Sequence, residues 1–203
     1  MANARILPVM IVIKAWLVAL LMTTVSSALV NMSVIGDGHA NQYEMRFENA
    51  STYLDDGIYY LDAFASLEIG DEPEEALLNG VELYFLVDIL VERTRRWWID
   101  TPVVERRLRY KLYFYELTRH YRVENLQTGE SVNYRSLTAA LRFLGQINRF
   151  ALIEASKIRK SKRYQASINF SLDGTRLPGP LAARAMVASE WNLQSEVFQW
   201  SLN

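Results

Sequence analysis

The stretch from Val81 to Val91 constrains the fold more than any other. Val81, Leu83, Phe85, Val87, Ile89 and Val91 take alternate positions, with Glu82, Tyr84, Asp88 and Glu92 on the other side and Leu86 and Leu90 as exceptions. A period of two belongs to a strand that buries one face. The pattern recurs. Leu108, Tyr110, Leu112 and Phe114 alternate with Arg107, Arg109, Lys111 and Tyr113. Tyr164, Ala166, Ile168, Phe170 and Leu172 alternate with Arg163, Gln165, Ser167, Asn169 and Ser171. Further strands are predicted near 43–53, 58–69, 119–126, 147–155 and 190–202, with a bulge where the last slips near Ser195-Glu196. Asp55-Asp56-Gly57 and Gln127-Thr128-Gly129-Glu130 carry hairpin turn chemistry.

Two short helices interrupt this order. In Glu72-Pro73-Glu74-Glu75-Ala76-Leu77-Leu78-Asn79-Gly80 a proline stands in the first turn, acids face the positive end of the dipole and a glycine follows the end. Ser136 is the expected N-cap of the second, whose apolar stripe is Leu137, Ala140, Leu141 and Leu144 before Gly145. The proline-rich run Asp173 to Pro180 reads as a structural loop, since prolines are excluded from a central strand. The predicted architecture is mainly β. It is an antiparallel β-sandwich, immunoglobulin-like in general terms, with two short helices.

The first forty residues are of another kind. Arg5 and Lys14 are the only charges before Asp37, and apolar runs follow each of them. This is the composition of a signal peptide or a signal anchor. Ser26-Ser27-Ala28 and Gly38-His39-Ala40 place small residues where a peptidase cuts, whereas an uncut Ala15–Ile35 segment is long enough to span a bilayer. Either outcome predicts residues 1–40 as a leader and 41–203 as one domain on the far side of the membrane, periplasmic or anchored to the inner membrane. The absence of cysteine excludes disulfides, thiolate metal sites, cysteine nucleophiles and a lipidated N-terminal cysteine.

Charge is segregated along the chain. Residues 41–92 hold 13 acids and one base, whereas 93–122 hold nine bases and three acids. Either acidic and basic strands lie side by side and neutralise each other, or the domain presents a basic patch to an anionic partner. Nucleic acid is a poor partner for an exported, nearly neutral domain. The most distinctive stretch is Arg93-Thr94-Arg95-Arg96-Trp97-Trp98-Ile99-Asp100. Guanidiniums beside indoles bind carboxylates, phosphates or a bilayer surface, or the tryptophans cover the end of a sandwich. The candidate interaction surface is therefore Arg93, Arg95, Arg96, Trp97 and Trp98, with Arg107 and Arg109 on the basic strand that follows.

Catalytic signals are weak. His120 is the only histidine beyond the leader region, so no histidine pair is available for zinc and any serine triad would have to use it without a nucleophile-elbow motif. The Tyr110–Tyr121 aromatics are explained by strand packing, and Glu74–Glu75 by the helix dipole. No catalytic, metal or cofactor residue is assigned.

A series of short motifs nonetheless looks familiar. It begins with Leu77-Leu78-Asn79-Gly80-Val81-Glu82-Leu83-Tyr84-Phe85, Arg96-Trp97-Trp98-Ile99-Asp100 and Tyr110-Lys111-Leu112. Leu117-Thr118-Arg119-His120-Tyr121-Arg122-Val123, Ser136-Leu137, Leu172-Asp173 and Leu177-Pro178-Gly179-Pro180 follow, and Ser189-Glu190-Trp191-Asn192-Leu193-Gln194-Ser195 closes it. In this order they resemble a proteobacterial family of exported proteins, domain of unknown function 4390, over nearly all of residues 41–203. The resemblance carries no activity and no catalytic residue. It implies a periplasmic setting, and a gene often placed beside a nitrogen-regulation-type membrane sensor kinase.

Two functions are expected from different classes. One is a non-enzymatic periplasmic binding or accessory module, with an envelope protein such as that sensor kinase, or a lipid headgroup, as partner. The other is a carrier of a lipid or other apolar ligand between the sheets. An enzyme would need a cleft with convergent polar groups, which no motif assembles.

Overall fold

The structure is a computed structural model that describes residues 45–94 and 101–202. The leader and the candidates Arg95, Arg96, Trp97 and Trp98 lie outside the described residues.

Among the described residues, nine strands and three short α-helices follow in the order β1 (Met45–Asp55), β2 (Ile58–Leu67), α1 (Asp71–Leu78), β3 (Leu83–Arg93), β4 (Thr101–Tyr115), β5 (His120–Asn125), β6 (Ser131–Tyr134), α2 (Leu137–Leu144), β7 (Gln146–Glu154), β8 (Tyr164–Leu172), α3 (Gly179–Ala185) and β9 (Phe198–Leu202). They form two antiparallel sheets, one ordered β1-β2-β7 and the other β6-β5-β4-β3-β8-β9. The mainly β reading of the sequence holds.

The core follows from the alternation. Leu83, Phe85, Val87, Ile89 and Val91 of β3 are fully buried, and their β8 neighbours Ala166, Ile168 and Phe170 are buried with them. Phe85 and Phe170 meet with ring centroids 5.4 Å apart. From the small sheet, Leu61, Ala63, Ala65 and Leu67 of β2 and Ile147 and Leu152 of β7 join the same core. Each fully buried large apolar side chain contributes about 1.5–3 kcal/mol. Between the sheets, the Trp200 indole donates to Thr52 Oγ1 at 3.4 Å.

Local chemistry sets the connections. Asp56 and Gly57 both have positive φ, as the tight β1–β2 hairpin requires. Ser136 caps α2 by accepting the Ala139 N–H at 3.2 Å, and Ala140, Leu141 and Leu144 turn inward. Arg149 adopts φ 49° at an irregularity of β7; the Asp62 carboxylate accepts its N–H at 2.6 Å and fixes that conformation.

Two expectations change at the C-terminal end. Pro178 to Ala185 contains a third helix, α3, with a proline in its first turn, where no N–H is needed. The segment expected to be one strand over 190–202 begins with a 3-10 turn at Ser189–Trp191 and becomes strand only from Phe198. The predicted bulge is present. Ser171 bridges Gln194 while Ile168 faces Phe198, a register shift of one residue, and buried Ser195 fills the gap. Its Oγ accepts the Phe170 N–H at 2.9 Å.

Candidate interaction surface

Alternation along β3 and β4 puts one set of side chains into the core and the other onto the outer face of the large sheet. Across that face, register sets Tyr84 beside Lys111, Leu86 beside Arg109 and Asp88 beside Arg107. Opposite charges facing each other on adjacent strands attract. Arg107 Nε donates to Asp88 Oδ1 at 2.5 Å, and this bond holds the guanidinium in its charged form more firmly than usual. Lys111 lies 3.0 Å from Glu124 and 3.4 Å from Glu82. Partial burial opposes its charge, but the Glu124 bond and the Glu82 carboxylate outweigh that, and its pKa is raised. Tyr84 donates to Glu82 at 2.5 Å, which lowers the Glu82 pKa and raises that of Tyr84. Two cations of the basic β4 strand, Arg107 and Lys111, are thus matched strand against strand.

Arg109 is the exception on this face. Its neighbour across β3 is Leu86, and among the described residues it makes no ion pair. It lines a cleft of about 230 Å³ with Tyr84, Leu86, Leu126, Asp173 and Arg176. The Arg176 guanidinium sits 4.5 Å from the centre of the Tyr84 ring. Asp173 shares the cleft, with Oδ1 accepting the Thr175 N–H at 3.2 Å and the Thr175 hydroxyl at 2.5 Å. Two cations therefore converge on a cleft whose one carboxylate is already hydrogen-bonded.

The structure brings together only part of the predicted surface. Arg107 and Arg109 share the outer face of β4. Arg93 lies at the far end of β3, between Thr101 and Tyr164, on the face that carries Val91. It is five residues along the strand from Asp88, about 17 Å away at 3.4 Å per residue. Arg176 was not anticipated. Its position after a strand end gave no charge pattern, and only the fold sets it beside Arg109.

A second cleft, of about 350 Å³, opens between α1 and α3 and is lined by Glu72, Val81, Leu181, Arg184 and Trp191. Glu72 accepts from Arg184 Nε at 2.7 Å and from the Trp191 indole at 2.9 Å. The Arg184 bond first, then the Trp191 bond, lowers the Glu72 carboxyl to about 2. These groups satisfy one another and close a helix contact. A third cleft, of about 440 Å³, lies between the end of β2 and α2, with Glu74 and Arg142 at its rim. His120 Nδ1 contacts the Thr118 carbonyl oxygen.

Among the described residues, no group of three or more His, Cys, Asp or Glu side chains is placed to hold a metal ion. No helix among them is long and apolar enough to cross a membrane. No curated protein and no solved structure matches the chain. Residues 42–201 match one family along almost the whole β-rich region, and the chain belongs to it: the family of the domain of unknown function DUF4390.

Proposed function

We propose that the β-rich domain is a non-enzymatic binding or accessory module that works in the periplasm and captures an acidic protein partner. A membrane sensor kinase of the envelope is the partner class this reading favours. The observation that carries it is the convergence of Arg109 and Arg176 on one cleft, on a sheet face where the neighbouring cations Arg107 and Lys111 are matched by carboxylates. Guanidiniums that outnumber the carboxylates in a shaped recess recognise carboxylates with defined geometry.

The carrier reading draws less support. It expects an apolar cavity between the sheets, whereas Phe47, Leu61, Phe85, Ile168 and Phe170 fill that space, and the three clefts above open at the surface.

The test is crosslinking in intact cells with the tagged full chain, followed by mass spectrometry. Arg109→Glu with Arg176→Glu is compared with the native protein, and Arg95→Glu with Arg96→Glu probes the sequence-predicted loop. A protein adduct that falls at least about tenfold in the first variant, with unchanged thermal unfolding, supports the reading. Adducts unchanged by both pairs, or lipid adducts alone, overturn it.

A further inference from the structure

The two sides of β4 differ in their hydrogen bonding. This strand pairs with β3 from Thr101 to Leu112, but with β5 only from Tyr110 to Tyr115. Among the described residues no strand pairs with its β5-facing side from Thr101 to Leu108. In an antiparallel sheet, alternate residues direct both N–H and C=O to the same side. The Asp173 N–H donates to the Tyr84 carbonyl at 2.7 Å, so the even residues of β3 face β8 and the odd ones face β4. Arg106, opposite Ile89, then bonds to β3, and Glu105 and Arg107 point outward. The Leu126 N–H donating to the Arg109 carbonyl at 2.9 Å confirms this phase from the other side.

The open edge is guarded by side chains. Gln127 Nε2 donates to the Arg107 carbonyl at 2.5 Å, and Arg106 donates to the Glu105 carbonyl at 3.1 Å. The N–H groups of Glu105 and Arg107 have no partner among the described residues. Exposed edges of this kind are templates for strand addition unless charge deters it. Here the charge selects. Arg106, Arg107 and Arg109 are exposed along the edge against one acid, Glu105. A second copy of the chain would bring these arginines against each other; an acidic strand would not. The Arg109–Arg176 cleft begins at the end of this edge, where Leu126 departs.

We infer that the open edge of β4, from Glu105 to Leu108, accepts an extended acidic segment of a partner protein as an added strand. The added strand lies in line with β5, takes the N–H groups of Glu105 and Arg107, and displaces the Gln127 carboxamide. Its acidic side chains on the outer face meet Arg107 and Arg109. This rests on the binding reading above and adds the manner of capture.

The experiment uses the full chain in mild detergent with a labelled peptide alternating glutamate and threonine. Controls are its lysine counterpart and a glutamate peptide interrupted by proline. Amide exchange is followed at Glu105, Arg106 and Arg107. The expected result is binding of the glutamate peptide alone, weakened by salt, with exchange slowed at least about tenfold at Glu105 and Arg107. Arg106, already bonded to β3, should not change. Arg107→Pro removes one outward donor and should abolish protection; Arg107→Glu with Arg109→Glu keeps the backbone and should abolish binding. Absence of peptide binding, binding without protection at Glu105 and Arg107, or protection arising from self-association without peptide overturns the inference. Cellular adducts lost with Arg109→Glu and Arg176→Glu but retained with Arg107→Pro leave the binding reading standing and remove strand addition alone.

Discussion

The indole N–H of Trp191 donates to the Glu72 carboxylate at 2.9 Å, and Arg184 engages both oxygens of the same group. One side chain of α1 thus ties down α3 and the turn that precedes β9. The Arg184 bond chiefly, then the Trp191 bond, takes the Glu72 carboxyl from its ordinary 4.5 to about 2. A folded-state pKa below the unfolded value means that the unfolded chain binds the proton first. The stabilisation is therefore present above about pH 4.5 and is lost as pH falls toward about 2. Glu72→Gln should lower the unfolding temperature near neutrality and converge with the native protein at the acid end. Unfolding temperatures measured across this window check it; a constant gap between the two curves would count against the carboxylate's role.

Gly145 closes α2 where the backbone of β2 passes too near for any side chain. The Ala65 N–H donates to the Gly145 carbonyl at 2.8 Å, and a Cβ on Gly145 would stand 2.2 Å from the Ala65 carbonyl oxygen. Neither atom can rotate away. Gly145→Ala should force α2 off β2 and destabilise by about 1–3 kcal/mol, the usual range for overpacking. Gly174→Ala is the matched control, since nothing lies within 4 Å of a Cβ there. Urea denaturation of the two variants should show a loss in the first and little change in the second.

Gly145 also marks how far the sequence could be read. Its place after the Leu137–Leu144 stripe announced a helix end, but the contact with Ala65 belongs to the tertiary structure. The β3 and β8 stripes were legible because burial on one face imposes the period directly. The third helix was not, because Pro178 and Pro180 signal a turn and a helix start equally well. Trp191 and Leu193 alternate like strand residues, yet the Glu72 bond holds Trp191 in a 3-10 turn. The basic β4 strand was evident from composition. Which of its cations are cancelled depends on register: Arg107 meets Asp88, and Arg109 meets Leu86.

Ser195 is the only polar residue among the described residues that is buried outright, at 3 % exposure. Its Oγ accepts the Phe170 N–H at 2.9 Å and donates to the Glu196 carbonyl at 3.0 Å. The hydroxyl replaces the ladder bond that the bulge removes. Ser195→Ala leaves the Phe170 N–H without an acceptor in the core, which costs about 1–3 kcal/mol. Equilibrium unfolding should show that loss, and exchange of the Phe170 amide should accelerate. An unchanged Phe170 exchange rate would mean that the hydroxyl does not hold the bulge.

Arg107 and Asp88 face each other across β4 and β3 at 2.5 Å, with side chains 49 % and 31 % exposed. Water and salt screen a pair placed so openly, and such pairs contribute no more than about 1 kcal/mol. A double-mutant cycle with Arg107→Ala and Asp88→Ala should give a coupling within that limit that shrinks further in high salt. The direction matters for the basic surface. Asp88→Ala alone leaves two neighbouring guanidiniums, Arg107 and Arg109, without an opposing carboxylate across β3. That variant should therefore bind the acidic alternating peptide more tightly while losing little stability. Weaker peptide binding by Asp88→Ala would show that the pair positions Arg107 for capture and does not compete with it.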